Sequence, residues 1–405
     1  MSDSLLVRQP VFGSSGALIG YEIRYNDVDD GRNAFAQSLL SGSFDLVRNQ
    51  LPAFVAATRD QLLADVFLMA APGSVIIMLP PDLEVDDDVQ HAIDRLRAAG
   101  AALALELVGA QPTKVEALLP RTTWVRVDAR SGDVAIITAI SDRITEAAGT
   151  SAPKRMAAQV ESLQQYEAAL QQGFDAFQGT FFSRPEPLPS ADVPQNTIAA
   201  LRLMSLARDA SVTDPELEDV ISTDPVLTFQ LLRLVNSAAI GGRGVASIGQ
   251  ALRLIGRAAF LRWLAVAVAA ARHGSTAVDH ELVRQAVERG RFLEQLHGSG
   301  RDAGTLFLVG LFSLLDAVFR MPMADLLARV TLSPEATEAL LSRTGPYADA
   351  ITFAESYELG LFENATQIAH DMGIDESRVG DYYTNAITWT AEAIGAVLGG
   401  TGVRH

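Results

Sequence analysis

Gly173-Phe174-Asp175-Ala176-Phe177-Gln178-Gly179-Thr180-Phe181-Phe182-Ser183-Arg184-Pro185, continued by Glu186-Pro187-Leu188-Pro189-Ser190-Ala191-Asp192-Val193-Pro194, divides this chain in two. The stretch opens as a short apolar strand and closes as a linker carrying Pro185, Pro187, Pro189 and Pro194. Proline lacks a backbone donor and biases the residue before it away from helix, so regular structure should stop here. Before the stretch, strand-like apolar runs alternate with helix-like segments. After it, almost every apolar run has helical spacing. The stretch therefore predicts the last strand of one domain, 1–188, and the hinge to a second, 189–405.

Working back toward the start, Val7–Phe12 and Leu18–Tyr25 are strand-like, and Gly13-Ser14-Ser15-Gly16 between them is turn chemistry, which predicts a hairpin. Apolar runs come next at 53–58, 75–79, 102–108, 124–128, 155–160 and 176–179. The clearest intervening helix is 89–99, where Val89, Ala92, Ile93 and Leu96 share one face and Gly100 ends the run. Strand and helix alternating this often imply parallel strands with crossover helices. Eight strands, the first antiparallel, predict an α/β barrel followed by an all-α domain.

Composition narrows the function. A chain of 405 residues with 48% hydrophobic and 20% charged residues has enough apolar side chain for two packed cores. The net charge of −17 disfavours a phosphate-tracking surface, so no nucleic-acid partner is expected. There is no cysteine, which excludes disulfides, thiolate metal sites and cysteine nucleophiles and suits a reducing cytoplasm. Met1-Ser2-Asp3-Ser4 does not open a signal peptide, and the apolar stretch 258–271 is short for a bilayer and interrupted by Arg262. A soluble cytoplasmic protein without a membrane segment is expected.

Arg8-Gln9-Pro10-Val11-Phe12, Gly20-Tyr21-Glu22-Ile23, Val125-Arg126-Val127-Asp128, Gln159-Val160-Glu161 and Phe177-Gln178-Gly179 resemble, as an ordered set, the motifs of the EAL domain. That resemblance implies a TIM-like barrel that hydrolyses cyclic di-GMP with two Mg²⁺ or Mn²⁺ ions. Hard cations of this kind need oxygen ligands at the carboxyl ends of the strands. Matched position by position, the pattern keeps Gln9, Glu22, Asp128, Glu161 and Gln178. The phosphate-contacting arginine falls on Asn26, the second-strand asparagine on Ala56 and the third-strand glutamate on Met78. The paired aspartates fall on Glu106 and Leu107, the fifth-strand lysine on Arg126 and the first sixth-strand glutamate on Ala158. Oxygen donors are thus missing at Ala56, Met78, Leu107 and Ala158, and thioether or hydrocarbon is no ligand for Mg²⁺. The expectation is a barrel with no catalytic residues and no cofactor. The alternatives are a receptor that binds cyclic di-GMP through Gln9, Glu22, Asp128, Glu161 and Gln178, or a weak Mg²⁺ or Mn²⁺ site built from Glu22, Glu106, Asp128 and Glu161.

In the second half, Thr213-Asp214-Pro215 and Thr223-Asp224-Pro225 each place Asp at a helix N-cap and Pro at the first helical position. Leu227, Leu231, Leu234 and Val235 form one stripe, Ser247 caps the run 248–255, and Gly256 ends it. Further helices are predicted at 257–271, 281–296, 305–319, 334–341, 347–357, 364–372 and 376–398. Leu203-Met204-Ser205-Leu206, Ile221–Pro225, Leu231–Ala238 and Ser247–Gly256 resemble the HDOD domain, an all-helical relative of the HD phosphohydrolases. That family generally lacks the metal dyad. Here only His370-Asp371 pairs the two residue types side by side, at what reads as a solvated helix end.

The remaining features have plain readings. Asp86-Asp87-Asp88 sits where carboxylates favour a helix start. Gly241-Gly242-Arg243-Gly244 is an interhelical turn. Arg253, Arg257, Arg262 and Arg272 form a solvated basic face, with a docking ridge as the alternative. Trp124, Trp263 and Trp389 are assigned to cores. Together the two resemblances imply a non-catalytic protein of cyclic di-GMP-related bacterial signalling that contacts other signalling proteins. A homodimer is compatible with it.

Overall fold

In this computed structural model the described residues are 5–26, 34–107, 114–130, 139, 140, 142–144, 146, 152–183, 212–222, 231, 232, 235, 245, 247–270, 276–296, 302–328 and 332–398. The chain forms two compact units. The first comprises Met1–Arg184 with Thr276–Val278 and Ser356–Glu363, and the second comprises Pro185–Ser275, Asp279–Glu355 and Asn364–His405. The proline linker, the second Thr-Asp-Pro unit and the 241–244 turn lie outside the described residues.

The first unit is a closed barrel of eight strands in sequence order. They are β1 Leu6–Gly13, β2 Leu18–Tyr25, β3 Ala53–Ala56, β4 Val75–Leu79, β5 Ala102–Leu107, β6 Trp124–Asp128, β7 Lys154–Val160 and β8 Ala176–Gly179. Strand β1 is antiparallel to both neighbours, and the other pairings are parallel, as the sequence predicts. Helices α1 Ala34–Ser41, α2 Ser43–Arg48, α3 Arg59–Leu63, α4 Asp87–Ala98 and α5 Leu163–Gln171 lie between strands. In α4, Val89, Ala92, Ile93 and Leu96 are the buried face, and Asp86 caps the start by accepting from the Val89 N–H at 2.9 Å. The acidic triplet is therefore a helix start, placed two residues earlier than the apolar spacing suggests.

Side chains alternate along a strand, so every second residue points into the barrel. One end of the interior is filled by Val11, Phe54, Ile76, Ala104, Met156 and Ala176, with Met78 packed on them toward the mouth and Trp124 edge-on against Phe54. Trp124 is only half-buried, as is Trp389, whereas Trp263 is fully enclosed. The same alternation carries Gln9, Glu22, Ala56, Glu106, Arg126, Ala158 and Gln178 to the other end. Leu107 has the opposite parity, pairs with Val127 and is wholly buried. Its hydrocarbon belongs to the packing outside the strands, so the barrel mouth lacks expected donors at three positions, Ala56, Met78 and Ala158.

The second unit is all-helical. Its elements include α6 Asp214–Ser222, α7 Ile248–Ala270, α8 Ala277–Leu296, α9 Ala303–Phe312, α10 Leu315–Phe319 and α11 Met323–Leu327. They continue with α12 Pro334–Ser342, α13 Ala348–Glu358, α14 Phe362–Asp371 and α15 Val379–Leu398. Gly256 interrupts α7 with non-helical angles where the sequence predicts a stop. The Ser247 hydroxyl accepts from the Gln250 N–H at 3.2 Å, which is the expected cap. The expected Asp214 cap is displaced by one residue. Thr213 holds that end, its N–H and hydroxyl donating to Glu216 at 2.7 and 2.8 Å, while Asp214 enters the first turn. The predicted 305–319 helix is broken at Ser313-Leu314.

Two of the four arginines expected on a solvated basic face are engaged within the second unit. Arg262 reaches inward to Glu294 at 2.7 Å, and Arg257 donates to the Val212 carbonyl. Arg253 is exposed, and Arg272 lies outside the described residues. His370 is exposed with Glu376 3.7 Å away, consistent with a solvated helix end. Among the described residues no helix is long and apolar enough to cross a membrane.

Candidate functional site

The barrel mouth opens into a cavity of about 810 Å³ whose wall includes Glu22, Arg24, Ala56, Met78, Glu106 and Arg126. Register explains why these side chains meet. Glu106 on β5 pairs directly with Arg126 on β6, Gln9 on β1 pairs with Glu22 on β2, and Ala56 pairs with Met78. Arg126 is nearly enclosed, at 3% exposure, and Glu22 at 2%. The guanidinium donates to Glu22 through Nε at 3.3 Å and Nη2 at 3.4 Å, and through Nη1 to Glu106. On the other side of Glu22, the Arg24 Nε donates at 2.8 Å. The inner ring thus holds two carboxylates and two guanidiniums, with no surplus negative charge.

Burial pushes the Glu22 carboxyl up, but the charges of Arg126 and Arg24 and their hydrogen bonds outweigh it and hold the group below its ordinary value of 4.5. Burial disfavours the charge on Arg126 as well. Glu22 and Glu106 reverse that, so its pKa is raised. A group with a depressed folded pKa adds stability above its unfolded pKa and loses it as pH falls through the folded value. The stability difference between the wild type and Glu22→Gln should therefore be full above pH 4.5 and shrink only in stronger acid. Urea midpoints across pH 3 to 9 check this; a difference that instead shrinks above neutrality would refute the pairing.

Asp128 and Glu161, expected beside Glu22, do not join that ring. Asp128 is held by Arg130, whose Nε and Nη2 donate to Oδ2 at 2.9 and 2.6 Å and whose backbone N–H donates to Oδ1 at 2.9 Å. Burial raises the Asp128 pKa, but these bonds bring it below the ordinary range. Glu161 is exposed on the turn after β7, where its N–H donates to the Gln165 side chain and its charge acts on Arg130. Among the described residues no three of His, Cys, Asp and Glu come together as a metal site would need.

Gln9 and Gln178 are brought together, in a relay of amides. Strand β7 is irregular between Ala157 and Val160, and Gln159 takes a left-handed φ of 57°. The Gln159 N–H donates to Gln178 Oε1 at 3.0 Å, Gln178 Nε2 donates to Gln9 Oε1, and Gln9 Nε2 donates to the Glu358 carbonyl at 2.8 Å. Both glutamines, kept relative to the EAL pattern, have their amides committed inside the unit.

Sequence reasoning missed Arg24 and Arg130 as partners. For Arg24 the signal was available: it lies two residues beyond Glu22 within β2, and a separation of two in a strand puts side chains on one face. Arg130 sits in the turn after β6, where that rule does not reach. The contribution of 356–363 to the first unit had no comparable signal.

Among known proteins, the HDOD domain family matches residues 193–328. An uncharacterized protein of Bacillus subtilis, YuxH, is 22% identical over 401 residues, covering 95% of this chain and 97% of its own. The Vibrio cholerae protein named cyclic di-GMP phosphodiesterase CdgJ is 23% identical over 410 residues, covering 97% of this chain and 93% of its own. Among solved structures, an EAL domain protein from Listeria monocytogenes is 15% identical with a TM-score of 0.37, covering 46% of this chain and 89% of its own. The Bacillus subtilis YkuI protein, which has an EAL domain, is 16% identical with a TM-score of 0.36, covering 62% of this chain and 72% of its own.

Proposed function

We propose that this chain is a non-catalytic signalling protein, an EAL-like barrel joined to an HDOD region, that works in a cyclic di-GMP setting through contacts with other proteins. The observation that carries this reading is the pairing at the mouth: Glu22, Glu106 and Asp128 each have a guanidinium as partner. Two divalent cations need several unpaired oxygen donors. The donor set does not fit them, because its carboxylates are neutralised and Ala56, Met78 and Ala158 supply no oxygen. Guanidinium, unlike the lysine of the family pattern, is a rigid fork that is always charged, so it suits a permanent bridge between carboxylates. The likeness to YuxH and CdgJ along nearly the whole chain supports the setting rather than the chemistry. One of the two relatives carries a phosphodiesterase name, so hydrolysis is the reading to test.

Incubated with cyclic di-GMP and Mg²⁺ or Mn²⁺, the full chain is expected to release no linear or mononucleotide product above a protein-free control. Turnover that disappears in Glu22→Ala would overturn the proposal. A second reading, a receptor without turnover, draws on the cavity of about 810 Å³ with Arg24 and Arg126 on its wall. Calorimetry separates the two: heat that fits a micromolar or tighter Kd favours the receptor.

A further inference from the structure

The short segment Ser356–Glu363 belongs to the barrel unit, although the chain on either side of it belongs to the other. It contains the C-terminus of α13, and its hydrogen bonds can be traced one by one. A helix end leaves its last four carbonyls without partners. Here the Gly360 N–H donates to the Tyr357 carbonyl and the Leu361 N–H to the Ser356 carbonyl, both at 2.9 Å. Gly360 has a φ of 72°, so this is a Schellman closure, and it serves two of the four. The other two, on Glu358 and Leu359, accept from Gln9 Nε2 at 2.8 Å and Arg24 Nη1 at 3.4 Å. The Tyr357 hydroxyl anchors the segment further by donating to the Leu6 carbonyl at 2.9 Å.

We propose that Gln9 and Arg24 form a receptor for a helix C-terminus, whose resident occupant is this chain's own 356–363 segment, and that a phosphodiester anion competes for the same donors. The chemistry favours both kinds of occupant. The carbonyl end of a helix carries partial negative charge, which an amide N–H and a guanidinium can meet. The same pair suits an anionic oxygen, more strongly, because a full charge makes the hydrogen bonds charge-assisted. Gly360 also packs against Arg24, where an added Cβ would lie 3.0 Å from the arginine Cδ. Occupancy of the mouth by an anion is thereby exclusive with closure of this helix end. The receptor stands on the hydrogen bonds alone; the competition rests on the receptor reading of the barrel mouth.

The test uses the intact protein and two variants outside the Glu22–Arg126 pair. Tyr357→Phe removes the anchor to Leu6, and Gly360→Val forces a β-branched side chain into a left-handed backbone. Amide hydrogen exchange of 356–363 should be slow in the wild type and roughly tenfold faster or more in both variants. Exchange at the unprotected rate in the wild type, or unchanged in both variants, overturns the receptor. Cyclic di-GMP is then titrated as the probe: it should bind the variants roughly tenfold tighter than the wild type and speed exchange of 356–363 when it binds the wild type. Binding to the wild type with 356–363 still protected, or no binding to the released variants, overturns the competition. Product formation in the same samples reports separately on the non-catalytic reading.

Discussion

Arg126→Met is expected to lower the stability of the barrel unit by about 3 kcal/mol, the lower end of the cost of breaking a buried ion pair. The reason lies in what is left behind. Glu22, 2% exposed, would lose two of its bonds and keep only Arg24, whose side chain is 28% exposed. A carboxylate in that position cannot be rehydrated without opening the barrel. Glu22→Leu should cost a similar amount, because it leaves Arg126 enclosed with Glu106 alone. The double variant should return to within about 1 kcal/mol of the wild type, since apolar groups of similar volume often replace a buried pair without loss. The cycle then gives a coupling of roughly 5 kcal/mol, measured as urea midpoints of the barrel transition at constant slope. Additive single costs, or a loss under about 1 kcal/mol for Arg126→Met, would mean the guanidinium is solvated and free to leave the carboxylates. The proposed function would then lose its main support.

How much of this was legible beforehand depends on the range of the interaction. The barrel was readable because each strand carries its own signal: an apolar run of four to eight residues, alternating faces and a turn at each end. Gln9, Glu22, Asp128, Glu161 and Gln178 could be placed on strand ends by the same means. Their partners could not all be placed. The Glu22–Arg126 pair needs the closure of β2 toward β6 through the barrel interior, which no local spacing encodes. Arg24 was within reach of the period-two rule, and Leu107 could have been set apart from Glu106 by that rule as well, whereas Arg130 sits in the turn after β6, beyond its reach. The displacement of Glu161 was not: it comes from the irregularity at Ala157–Val160, where Gln159 turns left-handed and redirects the residues after it. Arg257 and Arg262 were misread as a solvated face because helical periodicity gives an angle around one axis and does not say which neighbouring helix brings a carboxylate or carbonyl. Nothing in the sequence near 356–363 distinguishes it from an ordinary helix end with a glycine after it.

The second large effect is expected at Gly310, in the helical unit. A Cβ at Gly310 would lie 2.8 Å from both the Gly290 Cα and the Arg289 carbonyl oxygen, and a Cβ at Gly290 would lie 2.7 Å from the Phe307 carbonyl oxygen. These obstacles are backbone, so no rotamer change relieves them, and α8 and α9 must separate. The same crossing holds a polar contact: Arg289, 5% exposed, donates to the Ser313 hydroxyl at 2.8 Å, which donates to the Gly310 carbonyl at 2.6 Å. Gly310→Ala gains about 1 kcal/mol of helix propensity. It loses about 1–3 kcal/mol to overpacking and a further 1–3 kcal/mol if the Arg289 bond opens, so the loss wins by roughly 2 kcal/mol. Gly310→Val adds bulk without the full propensity gain and should cost about 4 kcal/mol. Gly304→Ala is the control in the same helix, since nothing lies within 4 Å of an added Cβ there. It should be neutral or stabilising, while the barrel transition stays in place in all three variants. If Gly310→Ala stabilised the unit as Gly304→Ala does, the close crossing of α8 and α9 would be wrong. The buried position of Arg289 would then need another cause, because only helices in near contact keep that guanidinium out of water and still paired.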